Sequence, residues 1–350
     1  MIELIQGNIL ESDAQAIVNT VNCVGVMGRG IALQFKKAFP ANFKAYKAVC
    51  KQKKLHPGMM FLYDNGTLLS KKQRYIFNFP TKRHWRGKSK IEDIQSGLVA
   101  LVKEVQEKDI ESIAIPALGC GLGGLDWLTV RKMIIDAFEN LPDVHVYLYE
   151  PAGAPVAKAM VIRTECPNMT PGRAALLGLM HRYLSGLMDV AISLLEVHKL
   201  MYFMQEAGEP LRLDYAKGLY GPYARNLGNV LSHIEGHFIT GYGDGGDNPD
   251  KQIELHSGAA ADAERFIQKH PKTQLHFNRI SKLIDGFETP YGMELLATVH
   301  WVVIHENASS FEEAVSAVHS WNDRKQKIPT KHIKIAWDTL RERGWFAENN

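Results

Sequence analysis

Residues 78–90 read Asn-Phe-Pro-Thr-Lys-Arg-His-Trp-Arg-Gly-Lys-Ser-Lys, five cationic side chains interleaved with one imidazole and one indole. An isolated basic run is usually a solvated surface. With an aromatic among the cations it also suits a nucleic-acid strand: Trp85 can stack a base, and Arg83 or Arg86 can meet phosphate. Two other stretches are rich in glycine. An apolar run at 113–116 leads to Gly119, Gly121, Gly123 and Gly124, then to a helical pattern starting near Leu125-Asp126-Trp127. The run Ala16-Ile17-Val18 leads through Asn19-Thr20-Val21-Asn22 to Gly25-Val26-Met27-Gly28-Arg29-Gly30, after which the apolar spacing turns helical. Strand, glycine turn and helix start present backbone N–H groups and a positive helix end to phosphate. Two such loops imply a ligand with two phosphates or one pyrophosphate. Neither loop is GxGxxG followed by an acidic residue about 20 positions on, nor GxxxxGK[ST], so dinucleotide oxidoreductases and P-loop NTPases are poorly supported.

The elements that must position these stretches alternate. Short strands are expected at 2–5, 16–18, 59–63, 75–79, 113–116 and 144–149, and helices at 31–39, 41–51, 91–107 and 128–141. Pro40 divides the first two helices. Alternating strands and helices with buried strands favour an α/β sandwich. Ligands in such sheets lie outside the carboxyl ends of the strands, where both glycine loops fall.

Composition sets the class. The 350 residues are 45% hydrophobic and 23% charged, which is a globular chain with ample core. Residues 1–150 carry 20 Lys+Arg against 15 Asp+Glu, while residues 151–350 carry 21 against 23. Only the first half tolerates a polyanion. No apolar run approaches the ~18 residues of a membrane span, and Met1 opens on a strand-like segment rather than a leader. Cys23, Cys50, Cys120 and Cys166 lie far apart without CxxC spacing. That argues against a zinc site or disulfide framework and fits a reducing cytoplasm, so no metal and no cofactor are expected.

The motifs Gly7-Asn8-Ile9, Ala16 to Asn22, Gly28-Arg29-Gly30-Ile31-Ala32 and Ile115-Pro116-Ala117-Leu118-Gly119-Cys120-Gly121, in that order, resemble the macrodomain, an ADP-ribose-binding module. The resemblance covers residues 1–152. It implies a three-layer α/β/α mixed sheet and an ADP-ribose site formed by Asn8, Ile9, Asn19, Asn22, Gly28, Arg29, Gly30, Ile31, Pro116, Gly119, Cys120, Gly121, Leu122, Gly123 and Gly124. Many macrodomains carry aspartate at the Asn8 position to accept from adenine. Asparagine keeps a carbonyl acceptor but no charge.

Phe79-Pro80-Thr81-Lys82 with Gly119-Cys120-Gly121-Leu122 resembles the macrodomain branch that hydrolyses terminal ADP-ribose. There a lysine at the Lys82 position is catalytic and works with an aspartate just after the CGL run. Here that position is Gly123, and Asp126 lies three residues on. With Val21 to Gly25 and Thr81 to Trp85 included, the pattern resembles the DarG family of DNA ADP-ribosyl glycohydrolase antitoxins. That resemblance implies cleavage of ADP-ribose from thymidine in single-stranded DNA, at C1″ of the distal ribose, through a transition state of oxocarbenium character. It makes Lys82 and Asn22 the catalytic pair, Asn22 orienting the distal ribose, with Arg83, His84, Trp85 and Arg86 as DNA contacts. A lysine crowded by Arg83, His84 and Arg86 should have a depressed pKa and could attack an opened sugar as the neutral amine. Alternatively it stays charged and donates a proton or hydrogen bond to the leaving base or ribose.

Pro151 and Pro155 break the pattern, and a linker is expected over 153–172. Residues 173–350 then read as mainly helical, with helices at 174–188, 190–205 and 292–305. Thr289-Pro290 makes a good helix start, and a basic amphipathic helix near the end stops at Gly344. Lys199-Leu200-Met201-Tyr202-Phe203-Met204-Gln205 followed by Tyr220-Gly221-Pro222-Tyr223 resembles the SocA-like (Panacea) antitoxin domain. This implies that the second half binds a DarT-like ADP-ribosyltransferase toxin. Taken by themselves, His198 and the Met201/Met204 pair read as core, residues 220–223 as a tight turn, and the acidic 241–250 stretch as a solvated loop without calcium spacing. Two other functions fit the chain: a non-catalytic ADP-ribose reader, and a DNA-binding regulator acting through the C-terminal helices.

Overall fold

Ala16 to Asn22 is buried at every position but Thr20, as a strand covered on both faces must be. In the computed structural model this strand, β2 (Ala16–Asn22), sits inside a six-stranded sheet with β1 (Ile2–Ile5), β3 (Phe61–Asp64), β4 (Tyr75–Lys82), β5 (Ser112–Ile115) and β6 (His145–Tyr149). The order is β1-β6-β5-β2-β4-β3, parallel throughout except for the edge strand β3. The structure describes residues 1–66, 72–151, 157–187, 189–243 and 245–346.

Side-chain alternation builds the layers. Ala16 and Val18 join Phe77, Phe79, Ile113 and Ile115 on one face, beneath helices α3 (Ile91–Glu107) and α4 (Trp127–Phe138). Ile17, Ile76 and Ala114 face the other way, toward Phe35 of α1 (Gly30–Ala38). Val21 meets Tyr46 of α2 (Pro40–Lys51). The macrodomain-type three-layer α/β/α mixed sheet is thus present, with Pro40 at the first position of α2. Strand β4 runs three residues past its expected end. Pro80 lacks an N–H, and the register slips between Val21 and Asn22, so that Asn22 pairs with Lys82.

The chain divides into two compact units, Met1–Glu165 and Cys166–Asn350. Unit 1 continues beyond residue 152 because the Arg163 N–H donates to the Lys37 carbonyl at 2.9 Å and its guanidinium covers Phe39. Residue 152 and residues 153–156 of the expected linker lie outside the described residues.

Unit 2 is mainly helical: α5 (Pro171–Leu187), α6 (Leu194–Glu206), α7 (Leu227–Ile234), α8 (Ala259–Gln268), α9 (Pro271–Leu283), α10 (Pro290–Ile304), α11 (Phe311–His319), α12 (Asp323–Gln326) and α13 (Thr330–Glu342). Two small sheets accompany them, β7 (Ala191–Ser193) with β10 (Ile239–Thr240) and β11 (Gln252–Leu255), and the hairpin β8 (Tyr215–Gly218)–β9 (Gly221–Ala224). Two local expectations change. The helix read from 190 starts at Leu194, because Ser193 and Glu196 form a capping box and the residues before it pair with β11. The turn read at 220–223 lies at 218–221, and Gly221 onward is strand. Met188 and Asp244 fall outside the described residues. Helix α13 buries Ile333, Ala336, Trp337 and Leu340 and ends at Gly344, whose φ is +65°. No helix among the described residues is long and apolar enough to cross a membrane.

Gly97 of α3 packs on the sheet so closely that a Cβ there would overlap the Phe79 ring. Gly97→Ala should therefore cost about 1–3 kcal/mol, although alanine is the better helix former. Urea unfolding measures this, and an unchanged or raised midpoint would show that Phe79 can yield.

Candidate active site

The site forms where β2, β4 and β5 end. Asn22 closes β2 and fixes the loop after it. Its Oδ1 accepts from Val24 N at 3.0 Å and Val26 N at 3.3 Å, and its Nδ2 donates to the Val26 carbonyl at 2.5 Å. Tyr46 donates its hydroxyl to the Asn22 carbonyl at 2.6 Å, and burial pushes that phenol's pKa up, keeping it a donor. The Asn22 amide is therefore committed to shaping the loop. Asn19 is likewise fully buried and donates to Asn78 Oδ1 at 3.0 Å, while Asn78 donates to Asn42 Oδ1 at 2.8 Å. This amide chain ties β2, β4 and α2 together beneath the loop. It was not legible beforehand, since no local spacing links residues 19, 42 and 78.

The loop delivers the N-terminus of α1. Gly30 has a φ of +60°, and Arg29, in extended conformation, supplies no side-chain cap. The first N–H groups of Gly30 and Ile31 therefore look for an outside acceptor, and an anion suits them. Gly28 and Arg29 are exposed beside them. Asn8 caps the short 3-10 turn Ile9–Glu11, its Oδ1 accepting from Leu10 N at 3.1 Å. The Ile9 side chain is core.

Facing α1 is the loop after β5. Pro116 and Gly119 are buried, while Gly121, Leu122 and Gly124 are exposed. Gly119 and Gly124 adopt φ of +73° and +79°, open to glycine at little cost. Gly123 explains the missing carboxylate. A Cβ there would overlap the Gly119 carbonyl oxygen and the Ser89 hydroxyl, while Ser89 N donates to the Gly123 carbonyl at 3.1 Å. No side chain fits that position in this loop. Asp126 does not take its place: it caps α4, accepting from Thr129 N and Oγ1 at 2.8 Å each, and those bonds hold its pKa down.

The two loops converge at Leu122. A Cβ built on Gly30 would stand 3.6 Å from Leu122 Cδ1, and Lys82 Nζ donates to the Leu122 carbonyl. Cys23 lies under the same junction, its N–H on the Arg83 carbonyl at 3.3 Å and its thiol on the Lys82 carbonyl at 3.5 Å. Lys82 thus stands between the two glycine loops. Its pKa is lowered, as expected, but the cause is burial of the ammonium and not crowding by Arg83, His84 and Arg86. Burial lifts the thiols of Cys23 and Cys120 to about 11, so neither is a thiolate at neutral pH.

Beyond Lys82 the basic segment is exposed and organised. Arg83 pairs with Asp93 at 2.9 Å, which anchors the segment to the first turn of α3. His84 stacks on Trp85 with ring centroids 5.5 Å apart, and the Arg86 guanidinium lies 4.6 Å from the Trp85 ring centre. Trp85 remains 44% exposed, enough to offer a stacking surface. Among the described residues no group of three or more His, Cys, Asp or Glu side chains is arranged to hold a metal.

Residues 18–134 match the Macro domain family. Over 344 residues the chain is 46% identical to the DNA ADP-ribosyl glycohydrolase of Thermus aquaticus, spanning 98% of this chain and 94% of that one. It is 41% identical over 353 residues to the DNA ADP-ribosyl glycohydrolase of Mycobacterium tuberculosis, across 97% and 99% of the two chains. A DNA ADP-ribosyl transferase-DNA ADP-ribosyl glycohydrolase fusion protein of Thermosipho africanus is 37% identical over 163 residues, 43% of this chain and 42% of its own.

The tightness at Gly123 makes a direct expectation. Gly123→Ala should displace the 119–124 loop and lower stability by about 1–3 kcal/mol. Thermal unfolding of the variant reads the cost, and a wild-type midpoint would mean the loop has room to open.

Proposed function

The chain belongs to the DNA ADP-ribosyl glycohydrolase family, and we propose that it hydrolyses the N-glycosidic bond between ADP-ribose and a thymine base of single-stranded DNA. The observation that carries this reading is the convergence of two glycine loops on one lysine. In the proposed complex the diphosphate bridges the α1 N-terminus and the 119–124 loop, and the adenine lies toward Asn8 and Ile9. The distal ribose then reaches Lys82, and the strand leaves along His84, Trp85 and Arg86. Asn22 serves as a positioning residue, through the loop it holds.

In the reaction the C1″–N bond breaks with its electron pair going to the base nitrogen, which takes up a proton. Water adds to C1″ and the products are free ADP-ribose and repaired DNA. With no side chain at 123 and Asp126 bound to its own helix, the reacting group in this proposal is Lys82. Its burial favours the neutral amine, which suits attack on an opened sugar. As the ammonium it would instead donate to the leaving nitrogen.

The name of one relative supports an antitoxin role. The Thermosipho africanus relative is named as a transferase and a glycohydrolase in one chain. We infer that unit 2 holds a DarT-like ADP-ribosyltransferase, so that one protein both restrains the toxin and reverses its mark.

Lys82→Ala should lose most of its turnover on an ADP-ribosylated oligonucleotide while binding ADP-ribose within a few-fold of wild type. Calorimetry and a single-turnover assay separate the two effects, and wild-type turnover would remove Lys82 from the chemistry. The two routes separate by pH and by trapping. Attack by the amine requires the rate to rise as pH approaches the lowered Lys82 pKa and a borohydride-trapped adduct at Lys82. Proton donation requires the rate to fall over the same range, with no adduct. Asp126→Ala should keep its turnover and lose only some thermal stability; a collapse of rate in a folded variant would return Asp126 to the mechanism.

A further inference from the structure

Unit 2 encloses a cavity of about 390 Å³ between α6, the β8–β9 hairpin and the segment at 247–249. Leu195, Leu219, Tyr220 and Tyr223 form much of its wall, together with His198 and Lys199. Both of the latter are almost wholly buried, at 3% and 2% exposure. Lys199 Nζ donates to the Pro222 carbonyl at 2.7 Å, leaving further N–H donors on the ammonium. A buried cation costs free energy unless an anion matches it. Glu294 does so only in part, through space, because its carboxylate is bonded to Lys325 at 2.7 Å and to Arg324 at 3.1 Å. Gly221 holds the hairpin close at this point: its φ is +92°, and a Cβ there would stand 2.8 Å from Thr298 Oγ1.

His198 stacks on Tyr223 with centroids 4.3 Å apart, and its Nδ1 has no hydrogen-bond partner among the described residues. Burial pushes the imidazole to about 3, so it is neutral. Burial brings Lys199 down to about 7, and the Lys325 charge adds to the effect. Largely apolar walls with a few polar groups and a volume in the range of small-molecule sites describe a pocket for a compact organic ligand. Asp247 also lines the wall, and its charge, which acts on His198, works against negative charge in the cavity, so one carboxylate is the most the site takes.

We propose that this cavity binds a small monocarboxylic acid, its carboxylate on Lys199 beside His198 and its apolar body against Leu195, Leu219 and the two tyrosines. The site is independent of the nucleotide chemistry of unit 1. It also gives a role to the two short motifs around Lys199 and Tyr220, which line it.

The test uses the full-length chain and a panel of monocarboxylates running from butyrate to 3-phenylpropionate, each beside its neutral amide. Amide NMR and calorimetry should show saturable acid binding, with shifts centred on 198–199, 218–223 and 247. The amides should bind about tenfold or more weakly, as loss of a charge-assisted bond requires. Lys199→Met should lose acid binding while keeping ADP-ribose binding in unit 1. The proposal is overturned if no acid binds at about 10 mM, if amide equals acid, if the shifts lie elsewhere, or if folded Lys199→Met binds acid as wild type does. Should that variant not fold, the acid-to-amide ratio and the shift map of the wild type decide the matter.

Discussion

The pairing of Asn22 with Lys82 across β2 and β4 is the contact on which unit 1's site depends. A register slip beside Pro80 sets these two residues level at the ends of their strands, and everything catalytic in the proposed function lies within reach of that point. Asn22 turns the chain back toward α1, and Lys82 reaches across to Leu122. The buried amides of Asn19, Asn78 and Asn42 stiffen the base of the arrangement. A buried polar network of this kind specifies geometry more than it adds stability.

Much of the first unit was legible because parallel strands leave unbroken apolar runs and helices leave a 3.6-residue rhythm. The two glycine loops, Lys82 and the Trp85 segment were visible as residue types in order. What the sequence did not reveal was which atoms were already spoken for. Asn22 and the Nδ2 of Asn19 donate within the protein, to Val26 and Asn78, whereas Asn19 Oδ1 has no partner among the described residues. Gly123 looks like a lost carboxylate until the Gly119 carbonyl and the Ser89 hydroxyl are found occupying the space. Asp126 likewise becomes a helix cap only when Thr129 is placed above it. Some of these contacts join residues distant in sequence and others, such as Asp126 with Thr129, are local but depend on exact loop curvature, and neither kind leaves a periodic trace.

The same limit held in unit 2. Capping chemistry marks the start of α10 at Thr289, whereas apolar spacing alone places the start of α6 at residue 190, ahead of the capping box at Ser193 and Glu196. His198 and Lys199 sit inside a helix that reads as core. They are core by burial, but their polar atoms are not all satisfied by the protein.

The pairing of Arg83 with Asp93 changes how the basic segment meets a strand. With that guanidinium paired and Arg86 laid against Trp85, the segment sets flat faces beside the exposed cations Lys88 and Lys90. In the proposed function, stacking would add to attraction through counterion release. A stacking face takes only bases that have left the helix, since a paired base keeps its faces covered by its neighbours. Such a face would favour unpaired over paired DNA, without reading a single letter.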